Sequence, residues 1–423
     1  MPRKKTPKSL RSCSLQFICD NFELISYGIT WRSERWRRFI KHGDYLSVES
    51  PLRGLPVHVL CELAQVVLDD LGCAPHILHS IIQPHLTCLR LPAVVSTIPL
   101  AVKLIVERTH SLSSLELSSC RSVNPLIIAA VLPYLNQLTH LNVEGTNFDD
   151  FGLEQLGQWV SGLSTLNIAR TRVTDSGLES VESQLQQLSF FILLGNTHKI
   201  TPVAVARFLT SHRDLLTLEY ENMRDVLQFL VKNNSCSSLQ SNLRKIILDN
   251  CREDMEKVLE ECVDCFPLLE ALSFNNSDLN LLLLSPVSKL CQLTKLELGN
   301  SSSTQYTASL VESVLPLLNI IGGQLTHISL ENFKFFDVTS IGRFCPKLIC
   351  LKLSNILSYC RAENQRIRYI QRGLKISQNF KDLLYLPFTL VEHLKILRSF
   401  IFTTQGGATS RRECSDNSSA VTS

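Results

Sequence analysis

The chain has 423 residues, of which 44% are hydrophobic and only 7% aromatic, so it can bury a large and mostly aliphatic core. Its 42 Lys and Arg stand against 39 Asp and Glu, a net charge of +3, which argues against nucleic acid or a membrane as the main partner. No apolar run is long enough to cross a bilayer, and no basic segment leads into an apolar stretch with a cleavage site, so the chain reads as cytoplasmic and/or nuclear.

In chain order, residues 1–11 carry Arg3, Lys4, Lys5 and Lys8 and read as a disordered basic N-terminus. Residues 12–84 read as a helical module. Leu15, Ile18, Cys19, Phe22 and Ile25 fall at i, i+3, i+4, i+7 and i+10 and share one helix face. The basic segment WRSERWRRFIKH follows and reads as a solvated helix with trapped tryptophans, since no wider basic surface supports nucleic-acid binding. A further helix starts at Pro56, where a missing N–H costs nothing, and Val59, Leu60, Leu63, Val66 and Val67 form its apolar stripe.

From residue 85 to 356 the pattern L-x-x-L-x-L returns in eleven copies, from Leu86/Leu89/Leu91 and Leu112/Leu115/Leu117 through to Leu348/Leu351/Leu353. The last two apolar places of each copy lie two residues apart, as on one face of a strand. The text between copies is helical. TNFDDFGLEQLGQWV places Leu153, Leu156 and Val160 on one face, and TRVTDSGLESVESQLQQL does the same with Leu178, Val181 and Leu185. The fold class is therefore α/β, a solenoid of strand-plus-helix units. The copies recur about every 26 residues, inside the span of about 20–29 known for leucine-rich repeats, which the pattern resembles. Cys120, Thr146, Thr171 and Cys251, with V-T-D-x-G-L-like text, resemble the cysteine-containing subtype. Asn250, Asn276, Asn300, Asn332 and Asn355 fall one place early for it and leave the curvature of a horseshoe open there. Residues 357–402 read as an apolar C-terminal cap, and 403–423, rich in Gly, Ser and Asn, as a disordered tail.

Two segments of the helical module carry a more specific resemblance. Ser14-Leu15-Gln16-Phe17-Ile18-Cys19 resembles the elongin BC-binding box, S/T-L-x-x-x-C with apolar residues after it. Leu55-Pro56-Val57-His58-Val59, with Leu63 four residues on, resembles the cullin-two box. Both stand in the expected order before the repeats. The arrangement looks like the Zyg-type leucine-rich substrate receptors of cullin-RING ubiquitin ligases, although the armadillo region of that type has no room here. The resemblance implies that Leu15, Ile18, Cys19 and Phe22 hold elongin B/C. It implies that Leu55, Pro56, Val59 and Leu63 meet the cullin and that the repeats hold a substrate protein. Two other readings stay open: an F-box-type receptor opened by Leu55-Pro56, and a repeat scaffold whose helices only cap the stack.

No catalytic constellation emerges: there is no Gly-rich phosphate loop, no H-E-x-x-H and no G-x-S-x-G. No metal or cofactor is expected. The 15 cysteines are odd in number, lack a framework and read as reduced thiols; Cys262 and Cys265 make one C-x-x-C with no second pair and read as structural. The outward places of the repeats read as a mildly acidic face. Glu116, Glu144, Glu219, Glu221, Asp249, Glu297 and Glu331 stand against Arg90, Lys245, Lys295 and Lys352. One copy differs. Phe190, Ile192 and Leu194 fill its outward places while Leu188, Phe191 and Leu193 point in, unless a one-residue slip exchanges the faces. These three, with Glu219 and Glu221, are the expected substrate contacts.

Overall fold

The computed structural model describes residues 9–29, 33–92, 98–120, 124–233, 241–248, 255–275, 285–299, 310–331, 333, 335–336, 338–354, 358–359, 399–403 and 410–413. The chain divides into two compact units, Met1–Leu215 and Leu216–Ser423. Each is a stretch of leucine-rich-repeat solenoid, and the first begins with helices.

In the first unit α1 (Leu10–Asp20) starts inside the segment expected to be disordered. The Ser9 side chain accepts the Ser12 N–H and so satisfies an otherwise orphaned helix donor. α2 (Phe22–Tyr27) ends on Gly28 at φ 65, a left-handed cap that favours glycine. α3 (Glu34–His42) is capped by Ser33, with Glu34 in its first turn and Lys41 and His42 in its last, in line with the helix dipole. Its Trp36 is buried, as expected of the trapped tryptophans. α4 (Val57–Leu71) begins directly after Pro56, and α5 (Pro75–Ile81) is buried along nearly its whole length. Tyr27, Trp36, Phe39 and Tyr45 gather around His76 and His79, with Trp36 edge-on to His76 at 5.0 Å between ring centres.

Five parallel strands follow: β1 (Cys88–Arg90), β2 (Ser114–Glu116), β3 (His140–Asn142), β4 (Thr165–Asn167) and β5 (Phe190–Ile192). They pair without slippage, so that Leu89, Leu115, Leu141, Leu166 and Phe191 form one buried row. α6 (Ile98–Arg108), α7 (Pro125–Val131), α8 (Asp150–Trp159), α9 (Asp175–Ser180) and α10 (Pro202–Ser211) return the chain from strand to strand.

The turn after each strand explains the motif text. Ser119, Gly145, Arg170 and Gly195 hold the same place in successive repeats, and all have positive φ. The next residues, Cys120, Thr146, Thr171 and Asn196, are all buried and tie off backbone carbonyls. The Thr146 hydroxyl donates to Val143 O and the Thr171 hydroxyl to Ile168 O, each at 2.7 Å. Asn196 donates to Ile168 O and accepts the Thr171 N–H. Buried backbone groups left without partners are costly, so this place demands a small hydrogen-bonding side chain.

The helix starts are tied between repeats. The Asp150 carboxylate accepts the Thr174 N–H at 2.7 Å and its hydroxyl at 2.6 Å. Asp175 does the same for Thr201, at 2.7 and 2.8 Å. Gly177 is needed beside this contact, because a Cβ there would meet Asp150 Oδ1 at 2.4 Å.

The second unit repeats the plan, with strands that lengthen after the first. β6 (Thr217–Glu219), β7 (Lys245–Leu248), β8 (Ala271–Asn275), β9 (Lys295–Gly299) and β10 (His327–Glu331) are parallel, and Cys350–Ser354 pairs with β10. α11 (Met223–Lys232), α12 (Met255–Cys265) and the helices Leu310–Ile321 and Val338–Phe344 pack beside them. The five asparagines read as misplaced for the cysteine subtype lie outside the described residues, as does most of the expected cap.

Two expectations need correction here. Ser399–Thr403 adds a parallel strand to Cys350–Ser354, and Ser410–Glu413 pairs antiparallel with it, so the expected disordered tail contains a strand; the apolar and aromatic run SFIFT suits a sheet. Cys265 is disulfide-bonded, so not every cysteine is a reduced thiol. Cys262 and Cys265 both lie in the core, the setting expected of structural residues rather than exposed ligands.

The buried histidines predict a pH dependence. Burial pushes His76 down to about 4. Burial and then the Arg108 guanidinium push His79 down to about 4, with the nearby Leu46 backbone opposing them only weakly, since neither ring nitrogen has a hydrogen-bond partner. Between their ordinary and native values the unfolded chain takes up protons that the native chain refuses. Stability is therefore full above about pH 6.5 and falls as the pH drops toward about 4. Thermal melting followed by circular dichroism should show a lower midpoint at about pH 5 than at about pH 7.5, by an equivalent of about 2–4 kcal/mol, and His79→Gln should roughly halve the difference.

Candidate protein-binding surfaces

The first surface is on α1 and α2. Leu15, Cys19, Phe22 and Ser26 share a face and are all buried. α1 packs on α4, whose Leu60, Leu63, Ala64 and Val67 are buried, and α2 packs on the turn Pro51–Gly54. Polar contacts fix the pair: Arg11 with Glu62, Gln16 with Asp70, and the Cys19 thiol with Asp70 at 3.6 Å. Burial first, and then Asp70, push the Cys19 thiol up to about 12. Leu15, Cys19 and Phe22 were expected to face an adaptor. All three are buried within the chain, Leu15 and Cys19 on α1, which packs on α4, and Phe22 at the start of α2. Ile18 is half-buried at the rim.

The opposite face is open. Leu10, Phe17 and Leu24 follow one another at i, i+7 and i+14 and are 85%, 64% and 49% exposed. Large side chains left in water in a row form the kind of patch that marks a contact surface. The cullin-box-like residues also divide. Pro56, Val57 and His58 are exposed, Leu55 and Val59 half-buried, and Leu63 fully buried.

The second surface is the outward face of the first unit's sheet. Pairing sets its side chains in rows. Cys88, Ser114, His140, Thr165 and Phe190 form one, and Arg90, Glu116, Asn142, Asn167 and Ile192 another. The register is the one read from the pattern: Leu188, Phe191 and Leu193 are buried, Phe190 is 45% exposed, and Ile192 and Leu194 are half-buried. The face thus changes from charged at β1 and β2 to apolar at β5.

Its charges are paired. Arg90 meets Glu116 at 3.4 Å, and Arg170 meets Glu144 at 3.7 Å, where Asn167 also donates to the carboxylate. Arg170 was missed in the sequence because it lies just past the L-x-x-L-x-L-x window; the left-handed turn carries it back toward the face. The first unit's face is therefore closer to neutral than the acidic residues alone suggest. In the second unit Glu219 is bound to Lys245 at 2.5 Å and Glu221 is half-buried; Asp249 lies outside the described residues. His140 and His327 take the same place in their repeats, each with its Nδ1 against the preceding threonine hydroxyl. Burial and Lys295 lower His327.

Sequence reading also missed the helix side of the first unit, where α7 and α8 leave Leu126, Phe151 and Trp159 exposed, with Tyr134 just beyond α7. Their period matches a core stripe, and only the packing of neighbours shows that they stay outside. Among the described residues no helix is long and apolar enough to cross a membrane, and no cluster of three or more His, Cys, Asp or Glu is placed to hold a metal.

No protein-family model matches the chain, and no curated protein matches it. Solved structures do. A chain from the yeast Rad7 and Elc1 complex matches with a TM-score of 0.52 at 17% identity, covering 87% of this chain and 99% of that one. A leucine-rich-repeat protein of Leptospira interrogans matches with a TM-score of 0.38 at 16% identity, covering 78% and 75%. An internalin from Listeria monocytogenes matches with 0.36 at 16% identity, covering 74% and 91%. The first likeness supports the leucine-rich-repeat fold; the other two superpose too loosely to add to it.

The two sides of β5 should respond differently to substitution. Phe190→Ser with Ile192→Ser should change the unfolding free energy little, within about 1 kcal/mol, since both side chains already meet water. Phe191→Ala should cost about 3–5 kcal/mol by emptying the buried row. Urea unfolding of the three proteins checks this; a large loss in the double variant would put Phe190 and Ile192 in the core.

Proposed function

We propose that the protein is the substrate-recognition subunit of a cullin-RING ubiquitin ligase and does no chemistry itself. The α1–α2 face binds an elongin-type adaptor, the start of α4 meets the cullin, and the sheet face of the repeats holds the substrate. Such a subunit works in the cytoplasm or nucleus. The observation that carries this reading is the unpartnered stripe of Leu10, Phe17 and Leu24 on a helical module set directly before a repeat stack. A helix that served only to cap the first repeat would bury its apolar residues and present polar ones. This one buries Leu15, Cys19 and Phe22 and still leaves three large apolar side chains in water. The likeness to a chain from the Rad7 and Elc1 complex adds support, because a chain of this fold is found there in a protein assembly.

In this reading the proposed roles divide by burial. Leu15 and Cys19 hold α1 on α4, Phe22 buries the start of α2, and Leu10, Phe17 and Leu24, with the rim residue Ile18, enter the adaptor. Pro56, Val57 and His58, flanked by Leu55 and Val59, form the cullin contact, with Leu63 supporting them from below. Phe190, Ile192 and Leu194 are the apolar anchors for substrate. Glu219 and Glu221 contribute on the second unit's face, where Lys245 already neutralises Glu219.

Affinity purification tests the reading. Elongins B and C and a cullin should co-purify with the full chain. Phe17→Asp with Leu10→Asp should abolish adaptor recovery while the melting temperature holds. Leu15→Ala with Cys19→Phe should instead lower the melting temperature, because it opens and then overfills the α1–α4 contact. Pro56→Ala with Val57→Glu should lose the cullin but keep the adaptor. Recovery of a Skp-type adaptor in place of the elongins would assign the F-box reading, and recovery of neither would leave a scaffold with no ligase link.

A further inference from the structure

α4 and β1 bring two thiols together at the start of the sheet face. Cys61 lies one turn into α4, and Cys88 takes the outward place at the head of β1. The Thr87 hydroxyl lies between them, 3.4 Å from the Cys61 sulfur and 3.8 Å from the Cys88 sulfur. Both thiols are free, Cys61 half-buried and Cys88 exposed. They open onto one cleft of about 140 Å³, lined also by Ala64, Gln65, Arg90 and Glu116. Cys19, Cys120 and Cys345 are also free thiols, but they are buried where a solute cannot reach them.

We propose that Cys61 and Cys88 form a reversible dithiol–disulfide site that a small peroxide oxidises. The cleft admits hydrogen peroxide, and the exposed Cys88 meets it first. The Cys88 thiolate attacks one peroxide oxygen, the O–O bond breaks, and hydroxide leaves to take up a proton as water; the sulfur becomes a sulfenic acid. The Cys61 sulfur then attacks that sulfur, the S–O bond breaks, and a second water departs with the Cys61 proton. Two thiols and one peroxide yield one disulfide and two waters, with two electrons passing from sulfur to oxygen. A dithiol reductant reverses the step by exchange. The bond joins the last long helix of the module to the first strand of the repeats and so clamps the two parts of the first unit together.

The surroundings set the pace. Burial raises the Cys88 thiol, Thr87 opposes this, and the neighbouring Cys61 raises it further. The charged groups facing the cleft are Arg90 and Glu116, which are paired with each other and so nearly cancel. The thiolate is therefore scarce at neutral pH, and oxidation quickens as the medium turns alkaline.

The test uses the purified full chain, reduced and then exposed to hydrogen peroxide. Unreacted thiols are alkylated with iodoacetamide under denaturing conditions, and peptides are identified by mass spectrometry. A peptide linking Cys61 to Cys88 is expected, lighter by two hydrogens than its parts. Alkylation should be lost almost completely at both residues and return after dithiothreitol. The link should form faster in mildly alkaline than in mildly acidic buffer and vanish in both Cys61→Ser and Cys88→Ser. Full alkylation of both residues after oxidation overturns the proposal. So does over-oxidation of Cys88 to sulfinic acid with Cys61 still a thiol, since the two sulfurs would then not meet. None of these outcomes depends on an adaptor or a ligase.

Discussion

The structure rests on a one-to-one parallel register between very short strands. In the first unit each strand offers three residues, and only the middle one is wholly given to the row of Leu89, Leu115, Leu141, Leu166 and Phe191. No single copy can bury enough apolar surface to stand alone, so each is held by its neighbours. The end of such a stack needs a cover, and α4 supplies it by packing beside β1. The helical module is thus part of the same core, and Leu15, Cys19 and Phe22 extend that core outward by one more layer.

The same register separates folding from recognition. Side chains alternate along a strand, so the residues that hold the stack and those that meet a partner never coincide. Phe191 is held by packing, while Phe190 and Ile192, which meet water, are free to vary. The paired charges nearby, Arg90 with Glu116 and Arg170 with Glu144, lie at the solvent surface and add little stability. Their effect is to hold the face near neutrality beside its apolar end.

Much of this was legible in the sequence, for a physical reason. A strand period of two repeated about every 26 residues leaves one arrangement of inward and outward places, so the register around β5 could be read directly. The helical module was harder. Periodicity shows that Leu15, Cys19 and Phe22 share a face, but not whether that face meets α4 or a second protein. A docking motif and an internal packing stripe have the same spacing, so spacing alone does not separate them. Charge failed for a similar reason. Counting residues in the strand window found the acids and missed Arg170, which reaches the face from a left-handed turn outside it. The polar N-terminal segment hid the capped start of α1 because Ser9 acts through one hydrogen bond and leaves no apolar pattern.

The ties between helix starts have a direction. Asp150 serves Thr174, and Asp175 serves Thr201, so in each case the earlier repeat supplies the group that completes the later one. Deleting a repeat from this region therefore harms its successor more than its predecessor. Growth of the array by duplication faces the same asymmetry: a new copy is accepted where an aspartate waits for its threonine. The first unit thus has a grain running from N- to C-terminus, the order in which a ribosome would deliver its parts, and each helix start could be completed as soon as its own repeat emerged.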